Sequence, residues 1–417
     1  MPLIKLHKVQ EVVENLSRKL NTKNFVEILH ISNAINRIIL EDVIATMDIP
    51  PCDRAVLDGF AVQSIDVSYA STETPAILKL CSKPCRKLKP NTAMKVSTGD
   101  EIPINADAVV PLEFTEVRNS TLYVFKSVSS GYGIARKGED VRKGEVIVRK
   151  GAILRPWHIA ALASQGISKV RVLGKVKVAI FSTGSELIEP GSTLPKGKIY
   201  DTTRYIIASS LKELRFNIID MGIVPDNEEL IRDYFIKALN IADIVISSGG
   251  TSIGERDLTV KAASSLRNLD YFVHGINLIP GRPAAFGIFN GKLIACLSGY
   301  PVAAFVELQM VLLPALFKAL NIEPPTLGIR TMAKTRRKIP VKIGMINVVR
   351  GIVYDMCGSL EFEPLRITGS GILSTLLKSN AILIVTEDSM GIEKNEIIRV
   401  LLVEDPIPSC PEGSTSR

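Results

Sequence analysis

Three segments in the middle of the chain gather groups able to hold a phosphate or carboxylate oxygen. They are Ser182-Thr183-Gly184-Ser185-Glu186, Pro225-Asp226-Asn227, and the run Ser247-Ser-Gly-Gly-Thr-Ser-Ile-Gly-Glu-Arg-Asp257. Small residues and glycines let a backbone approach a ligand closely, and consecutive N–H groups can hold a phosphate or carboxylate oxygen. Each segment also carries a carboxylate: Glu186, Asp226 and Asp257. An anion site lined by acids becomes consistent once a divalent cation is added, because Mg²⁺ is commonly held by one or two carboxylates plus substrate phosphate oxygens. No Gly-Lys-Ser/Thr follows, so this is not a Walker loop. A glycine-rich run is equally a tight turn without ligand, and Asp226 is equally a helix N-cap. Upstream, Asp53-Arg54-Ala-Val-Leu-Asp58-Gly59, Thr98-Gly99-Asp100 and Arg136-Lys-Gly-Glu-Asp140 place acids and bases around turn glycines. A salt-bridged turn explains each of these as readily as chemistry does.

The elements that must position these segments follow from hydrophobic periodicity. Residues 1 to about 45 read helical, with Val9, Val12, Val13, Leu16 and Leu20 at 3/4 spacing. From 49 to 137 the texture is short β runs broken by Pro, Gly, Ser and Asn. Residues 138–174 pair a β run at Val146-Ile-Val with a helix near Pro156, and are expected to pack back on the N-terminal helices. From Lys175 strands and helices alternate: Lys177-Val-Ala-Ile-Phe, a helix over 202–216, Asn217 to Val224, a helix over 226–240 capped by Asp226, and Ile241-Ala-Asp-Ile-Val-Ile. That alternation predicts a parallel, doubly wound sheet with helices on both faces and ligands at the carboxyl ends of its strands. After Glu323-Pro-Pro the pattern turns to β. The expected organisation is a multidomain α/β protein: 1–48 plus 138–174 as a discontinuous helical/β domain, 49–137 as a β-rich domain, 175–322 as the central α/β domain, 323–405 as a C-terminal β domain, and 406–417 as a tail.

The chain has 417 residues, 46% of them apolar and 23% charged, with a formal net charge of +8. This is ordinary globular usage, and the positive balance suits an anionic ligand. Four scattered histidines and six cysteines with one close pair, Cys81 and Cys85, offer no zinc spacing and no disulfide framework. The residues up to Leu20 lack a signal-peptide core. The most apolar stretch, 293–317, is interrupted by Ser298-Gly-Tyr-Pro301, Glu307, Gln309 and Pro314. It reads as a buried strand, a turn and a helix, so no membrane association is expected. The cluster Lys79, Lys83, Arg86, Lys87, Lys89 and Lys95 lacks interleaved aromatics, so a nucleic-acid partner is not expected.

In chain order, Arg54-Ala-Val-Leu-Asp-Gly-Phe-Ala, Thr98-Gly-Asp-Glu-Ile-Pro with Ala106-Asp-Ala-Val-Val, Gly138-Glu-Asp, Phe181-Ser-Thr-Gly-Ser-Glu-Leu, Gly197-Lys-Ile-Tyr-Asp-Thr, the Ser247–Asp257 run and Pro280-Gly-Arg-Pro resemble the molybdopterin molybdenumtransferase family. That family includes the C-terminal part of gephyrin, and the similarity runs over residues 5 to 403. The resemblance implies an L-shaped four-domain subunit, an elongated homodimer and a cytoplasmic location. It implies that the third domain binds molybdopterin and that the second and fourth domains of a partner complete the site. The implied reaction inserts molybdenum from molybdate into adenylylated molybdopterin and releases AMP with the help of Mg²⁺, alongside other molybdenum cofactor biosynthesis proteins. The implied functional acids are Asp58, Asp140, Glu186, Asp226 and Asp257, with Glu186 and Asp257 toward the metal. The implied binding residues are Thr98, Thr183, Gly184, Ser248, Gly249, Gly250, Thr251, Ser252, Pro280, Gly281, Arg282, Arg350 and Ser370.

Three departures stand out. The family's Lys-Pro-Gly-Lys-Pro reads Ile279-Pro280-Gly281-Arg282-Pro283 here, a second lysine four residues earlier is Gly275, and Leu-Pro-Gly-Asn-Pro becomes Leu297-Ser298-Gly299-Tyr300-Pro301. They motivate two alternatives: a non-catalytic molybdopterin-binding or scaffold paralogue, and an enzyme that prefers tungstate.

Overall fold

Alternation of apolar strand runs with amphipathic helices folds residues 177–319 around one six-stranded sheet, ordered Asn217–Val224, Lys177–Thr183, Ile244–Ser248, Lys292–Leu297, Ala285–Phe289, Leu269–His274. The computed structural model describes residues 6–81, 85–250, 257–325, 327–365 and 372–409. The first four strands run parallel, as the alternation predicts, and Ala285–Phe289 runs antiparallel to both its neighbours. The reversal follows from Asn290-Gly291, whose positive φ angles (48° and 75°) make the tight turn that joins neighbouring strands as a hairpin.

Both faces of the sheet are covered. Ala179, Phe181, Val245, Ile294 and Cys296 share a core with Ile231, Phe235, Ala238 and Leu239 of the Glu228–Ile241 helix and with Val260, Ala262 and Ala263 of the Leu258–Ser264 helix. The alternate positions Val178, Ile180, Ile244, Ile246, Leu293 and Ala295 are also fully buried, which the two-residue strand period assigns to the opposite face. There the Thr203–Glu213 helix packs on the Lys177–Thr183 strand and on the Pro301–Glu307 helix. The predicted strand, turn and helix over 293–317 are present. The helix from Pro301 to Ala319 is long and apolar enough to span a bilayer, yet 67% of its most apolar stretch is buried, the pattern of a core helix. It widens into a π turn at Leu308–Leu312, just before Pro314, which has no N–H to donate.

Residues 329–408 form a small barrel. Strands Ile346–Asp355, Leu360–Pro364, Ile329–Thr335, Ile397–Leu402 and Ala381–Val385 pair in that order, and the last pairs back with the first. Closure leaves these strands no open edge in the ring. The two-residue strand Leu278–Ile279 of the α/β region adds in parallel to Ile346 and Asn347. Helix is not wholly absent here, since Ser374–Leu377 makes a single turn. Cys52, Cys81, Cys85 and Cys296 carry free thiols, and Cys357 is disulfide-bonded.

Residues up to 27 and from 173 onward make one compact unit, and residues 28–172 a second. The N-terminal helix is shorter than the pattern suggests, Val9–Lys19, with Val9, Val12 and Leu16 buried. It packs against the Leu313–Ala319 helix, to which Glu14 is tied by an ion pair with Lys318, so it does not join residues 138–174 as expected. The part that does share a core with them begins later: Ala34 and Ile39 meet Val148, Leu154, Leu162, Val170 and Val172. The second unit is otherwise β-rich, built on the sheet order Ala108–Pro111, Gly59–Val62, Thr92–Val96, Ala76–Leu80, Thr121–Val124, Thr115–Arg118.

Candidate functional site

The parallel strands end where the sequence places its small-residue segments, and their backbones leave the sheet in conformations that only glycine takes readily. Gly249 has φ +94°, and a Cβ there would sit 2.3 Å from the Thr183 carbonyl oxygen. Gly250 has φ +62°, and its Cβ would sit 2.2 Å from Thr259 Oγ1. A side chain at either place meets both backbone strain and a neighbour already in contact. Hydroxyls tie the strand ends to each other and to the next helix: Ser182 Oγ and Ser248 Oγ lie 2.8 Å apart, as do Thr183 Oγ1 and Thr259 Oγ1 of the Leu258–Ser264 helix. Thr251 and Ser252 lie outside the described residues, as does Ser370.

Around these ends opens a cavity of about 1240 Å³. Of the predicted residues, Thr183, Glu186, Ser248, Gly249, Gly250, Pro280, Gly281, Arg282 and Arg350 line it. Gly184 adjoins the wall, where a Cβ would meet the Glu186 carboxylate at 2.9 Å. Arg350 is 3% exposed and reaches Thr375 Oγ1 at 3.3 Å and the Val348 carbonyl at 3.0 Å, and burial lowers its pKa from the usual guanidinium value. Arg282 has a buried Nε without a hydrogen-bond partner among the described residues. Lys342 completes a set of three cations, its backbone held by Asn347, which accepts from the Lys342 N–H and donates to its carbonyl. A basic wall beside open backbone amides suits an anionic ligand.

The carboxylates divide. Glu186 is on the cavity wall, whereas Asp226 and Asp257 are not among the described lining residues. Asp226 is not the expected helix cap: Asn227 caps Glu228–Ile241 by accepting from the Leu230 N–H. The Asp226 carboxylate instead accepts from the Ser185 N–H at 2.9 Å, and Ser185 Oγ accepts from the Asp226 N–H, so two of the three predicted segments are tied together. Asp257 precedes the Leu258–Ser264 helix without capping it. Burial pushes its carboxyl up to about 6 despite the opposing pull of Lys261. Its Oδ2 lies 3.4 Å from His274 Nε2, and its Oδ1 is buried with no donor among the described residues. His274 is itself pushed down by burial, partly offset by its bond to the Pro283 carbonyl. The described residues contain no cluster of three or more His, Cys, Asp or Glu with metal-binding geometry. The unpaired Asp257 Oδ1 nevertheless has a free acceptor for a cation, and Mg²⁺ sites commonly use only one or two protein carboxylates.

Asp58, Thr98 and Asp140 belong to the second unit. Asp58 Oδ1 accepts from the Thr98 N–H at 2.7 Å and lies 3.3 Å from its hydroxyl, which brings two predicted residues together. Asp140 is exposed and donates its N–H to the Ile49 carbonyl. Nearby, Asp53 binds Arg136 and the Lys137 N–H, so that cluster is the salt-bridged turn its residues allow.

Several lining residues escaped the sequence reading. Asp201, 2% exposed, is held by Arg204, whose guanidinium also pairs with Asp220 and Glu189. Its only sequence signal is the Gly197-to-Thr202 motif. Tyr300 is 60% exposed on the cavity wall, at the point where the chain departs from Leu-Pro-Gly-Asn-Pro. Lys342 and Asn347 sit in the barrel with no local signal, because only the pairing of Leu278–Ile279 with Ile346–Asp355 brings that edge to the cavity.

Comparisons with known proteins agree with this layout. Three family models match in order: the MoeA N-terminal region (domain I and II) over 4–166, the "Probable molybdopterin binding domain" over 179–318, and the MoeA C-terminal region (domain IV) over 332–403. A molybdopterin biosynthesis protein of Methanocaldococcus jannaschii is 36% identical over 97% of this chain and 98% of its own. The molybdopterin molybdenumtransferase of Haemophilus influenzae is 31% identical over 90% and 93%. The crystal structure of the molybdopterin biosynthesis MoeA protein from Pyrococcus horikoshii OT3 superposes with a TM-score of 0.75 at 33% identity, covering 95% of this chain and all of that one. With the three regions present in order and full-length relatives above 30% identity, the chain belongs to the MoeA family of molybdopterin molybdenumtransferases.

Proposed function

We propose that the protein is a molybdopterin molybdenumtransferase that takes adenylylated molybdopterin and molybdate, cleaves the adenylate, and leaves molybdenum on the dithiolene with release of AMP. The observation that carries this reading is the cavity wall, where glycine-rich backbone, Glu186 and the cations Arg282, Lys342 and Arg350 come together. A phosphoanhydride and an oxyanion are both anionic, and fixed cations and amides stabilise charge that shifts between them. The names carried by its relatives support the substrate class.

Asp257, through its open Oδ1, and Glu186 are the residues that would hold Mg²⁺. Such an ion neutralises charge on a phosphoanhydride when bound. The protein's own residues bind and orient: Thr183, Ser248, Gly249 and Gly250 bring amides and hydroxyls to the ligand, and Arg282 and Arg350 face its charge. The reading extends to a cytoplasmic homodimer in which Asp58, Thr98 and Asp140 complete a composite site, and to the boundaries 49–137, 175–322 and 323–405 for its later domains.

The test is AMP release from adenylylated molybdopterin with Mg²⁺ and molybdate, repeated with tungstate. Release that needs the oxyanion supports the enzyme, and faster release with tungstate assigns the preference. Ile279 lines the cavity without any donor, which favours the scaffold as second reading. Tight pterin binding without release would establish it.

A further inference from the structure

We propose that Glu307 is a positioning residue whose buried carboxyl, through Ser298 and Gly281, sets the two loops that present Tyr300 and Arg282 to the cavity. Glu307 is fully buried at the end of the Pro301–Glu307 helix. Its Oε2 accepts from the Ser298 N–H at 2.8 Å, and its Oε1 lies 2.5 Å from Ser298 Oγ. On the other side it packs on Gly281, where φ is +124° and a Cβ would fall 2.8 Å from Glu307 Cγ. One side chain therefore touches both the 279–283 loop and the 297–301 loop, and both line the cavity.

Other ties of the 297–301 loop come from residues on the cavity wall. The Gly249 N–H donates to the Leu297 carbonyl at 3.1 Å, Thr203 Oγ1 donates to the Gly299 carbonyl at 2.6 Å, and a Cβ on Gly299 would lie 3.3 Å from Gly249 Cα. Glu307 supplies the anchor from beneath. Burying a carboxyl is unfavourable unless its acceptors are met, so its retention at 0% exposure needs the two Ser298 donors. A proline at 298, as in Leu-Pro-Gly-Asn-Pro, has neither an N–H nor a hydroxyl. Ser298 and Glu307 thus function only as a pair. Their effect falls on Arg282, whose Nε has no partner among the described residues and depends on the loop for its aim.

The role in turnover rests on the proposed function, so the test has one arm that does not. Amide hydrogen exchange at Ser298 (bonded to Glu307), Gly249 (bonded to the Leu297 carbonyl), Ile276 (bonded to the Arg282 carbonyl) and Ala284 (bonded to the Gly281 carbonyl) reads the loops directly in the full-length protein. Binding of molybdopterin and the KM and kcat of AMP release read the consequence. Glu307→Leu should raise exchange at these amides by about tenfold and weaken pterin binding by a similar factor, with kcat less affected. Glu307→Gln, which still accepts from Ser298, should restore both to within about threefold of wild type. Ser298→Ala, which removes only the hydroxyl, should give an intermediate rise and decides the matter should Glu307→Leu not fold. Wild-type exchange in Glu307→Leu or Ser298→Ala, or equal damage from Gln and Leu, overturns the proposal. If wild type itself neither binds pterin nor releases AMP, the proposed function falls, while the exchange arm still decides what Glu307 positions.

Discussion

Arg282 and Ile279 line the same cavity with opposite chemistry: one brings a guanidinium whose buried Nε has no partner among the described residues, the other an alkyl side chain. A charge-assisted hydrogen bond is worth ~1.5–3 kcal/mol, about tenfold to a hundredfold in binding. Arg282→Ala should therefore lower kcat/KM for AMP release by at least about tenfold, and Ile279→Lys should raise affinity or rate by adding a donor beside the same anion. No change in either would move the anion elsewhere in the cavity. Glu307 makes a different prediction. Burial pushes its carboxyl up to about 8, against the hydrogen bonds from Ser298, which pull the other way. Below the ordinary carboxylate range both folded and unfolded chains hold the proton, so burial has no pH-dependent penalty there. As pH rises toward about 8 the unfolded chain ionises while the folded chain stays neutral, and stability declines by up to ~1.4 kcal/mol per pH unit. Glu307→Gln does not titrate, so the stability of wild type relative to this variant should fall across that window and level off above it. Denaturant unfolding over a pH series measures this, and a flat difference would remove the neutral carboxyl from the account.

At the scale of elements, the site depends on how the Ile244–Ser248 strand leaves the sheet. Gly249→Ala forces a Cβ against a backbone carbonyl, which cannot rotate away as a side chain can. The left-handed backbone alone costs ~1–2 kcal/mol for an L side chain, and the clash adds to it. The variant should unfold earlier and bind molybdopterin at least about tenfold more weakly. Gly191→Ala is the matched control: φ is also positive, +92°, but nothing lies within 4 Å of the added Cβ. It should show the stability loss with unchanged binding. Equal effects on binding from both changes would mean that the turn at 249 is a structural turn only.

At the scale of the whole molecule, the predicted acids belong to two units, Asp58 and Asp140 to residues 28–172 and Glu186, Asp226 and Asp257 to the other. If one composite site draws on both in a homodimer, Asp58→Ala and Asp257→Ala chains should each lose most activity and complement when mixed. Random pairing makes half the dimers mixed, each with one intact site, so about a quarter of wild-type AMP release should return. Mixed dimers as inactive as either parent would reject a shared site.

Local pattern was enough to read strands Lys177–Thr183 and Asn217–Val224, the glycine exits at 249 and 250, and the order of the motifs, because strand period, helix period and turn chemistry are written in neighbouring residues. The same local logic picked out the segment that puts Glu186 and Thr183 on the cavity wall, whereas the bond between Asp58 and the Thr98 turn, 40 residues apart, came from the fold. Other assignments depended on distant partners. The Val9–Lys19 helix shows an amphipathic face that suits any apolar surface, and only packing against Leu313–Ala319 decided which one it covers. Asn227 took the cap from Asp226 because Ser185, 41 residues earlier, offered the Asp226 carboxylate a donor. Lys342, Asn347 and the Glu307–Ser298 tie became visible only in the tertiary structure. A carboxyl in an apolar helix looks like an interruption in sequence, and its role comes from the donors that folding brings within reach.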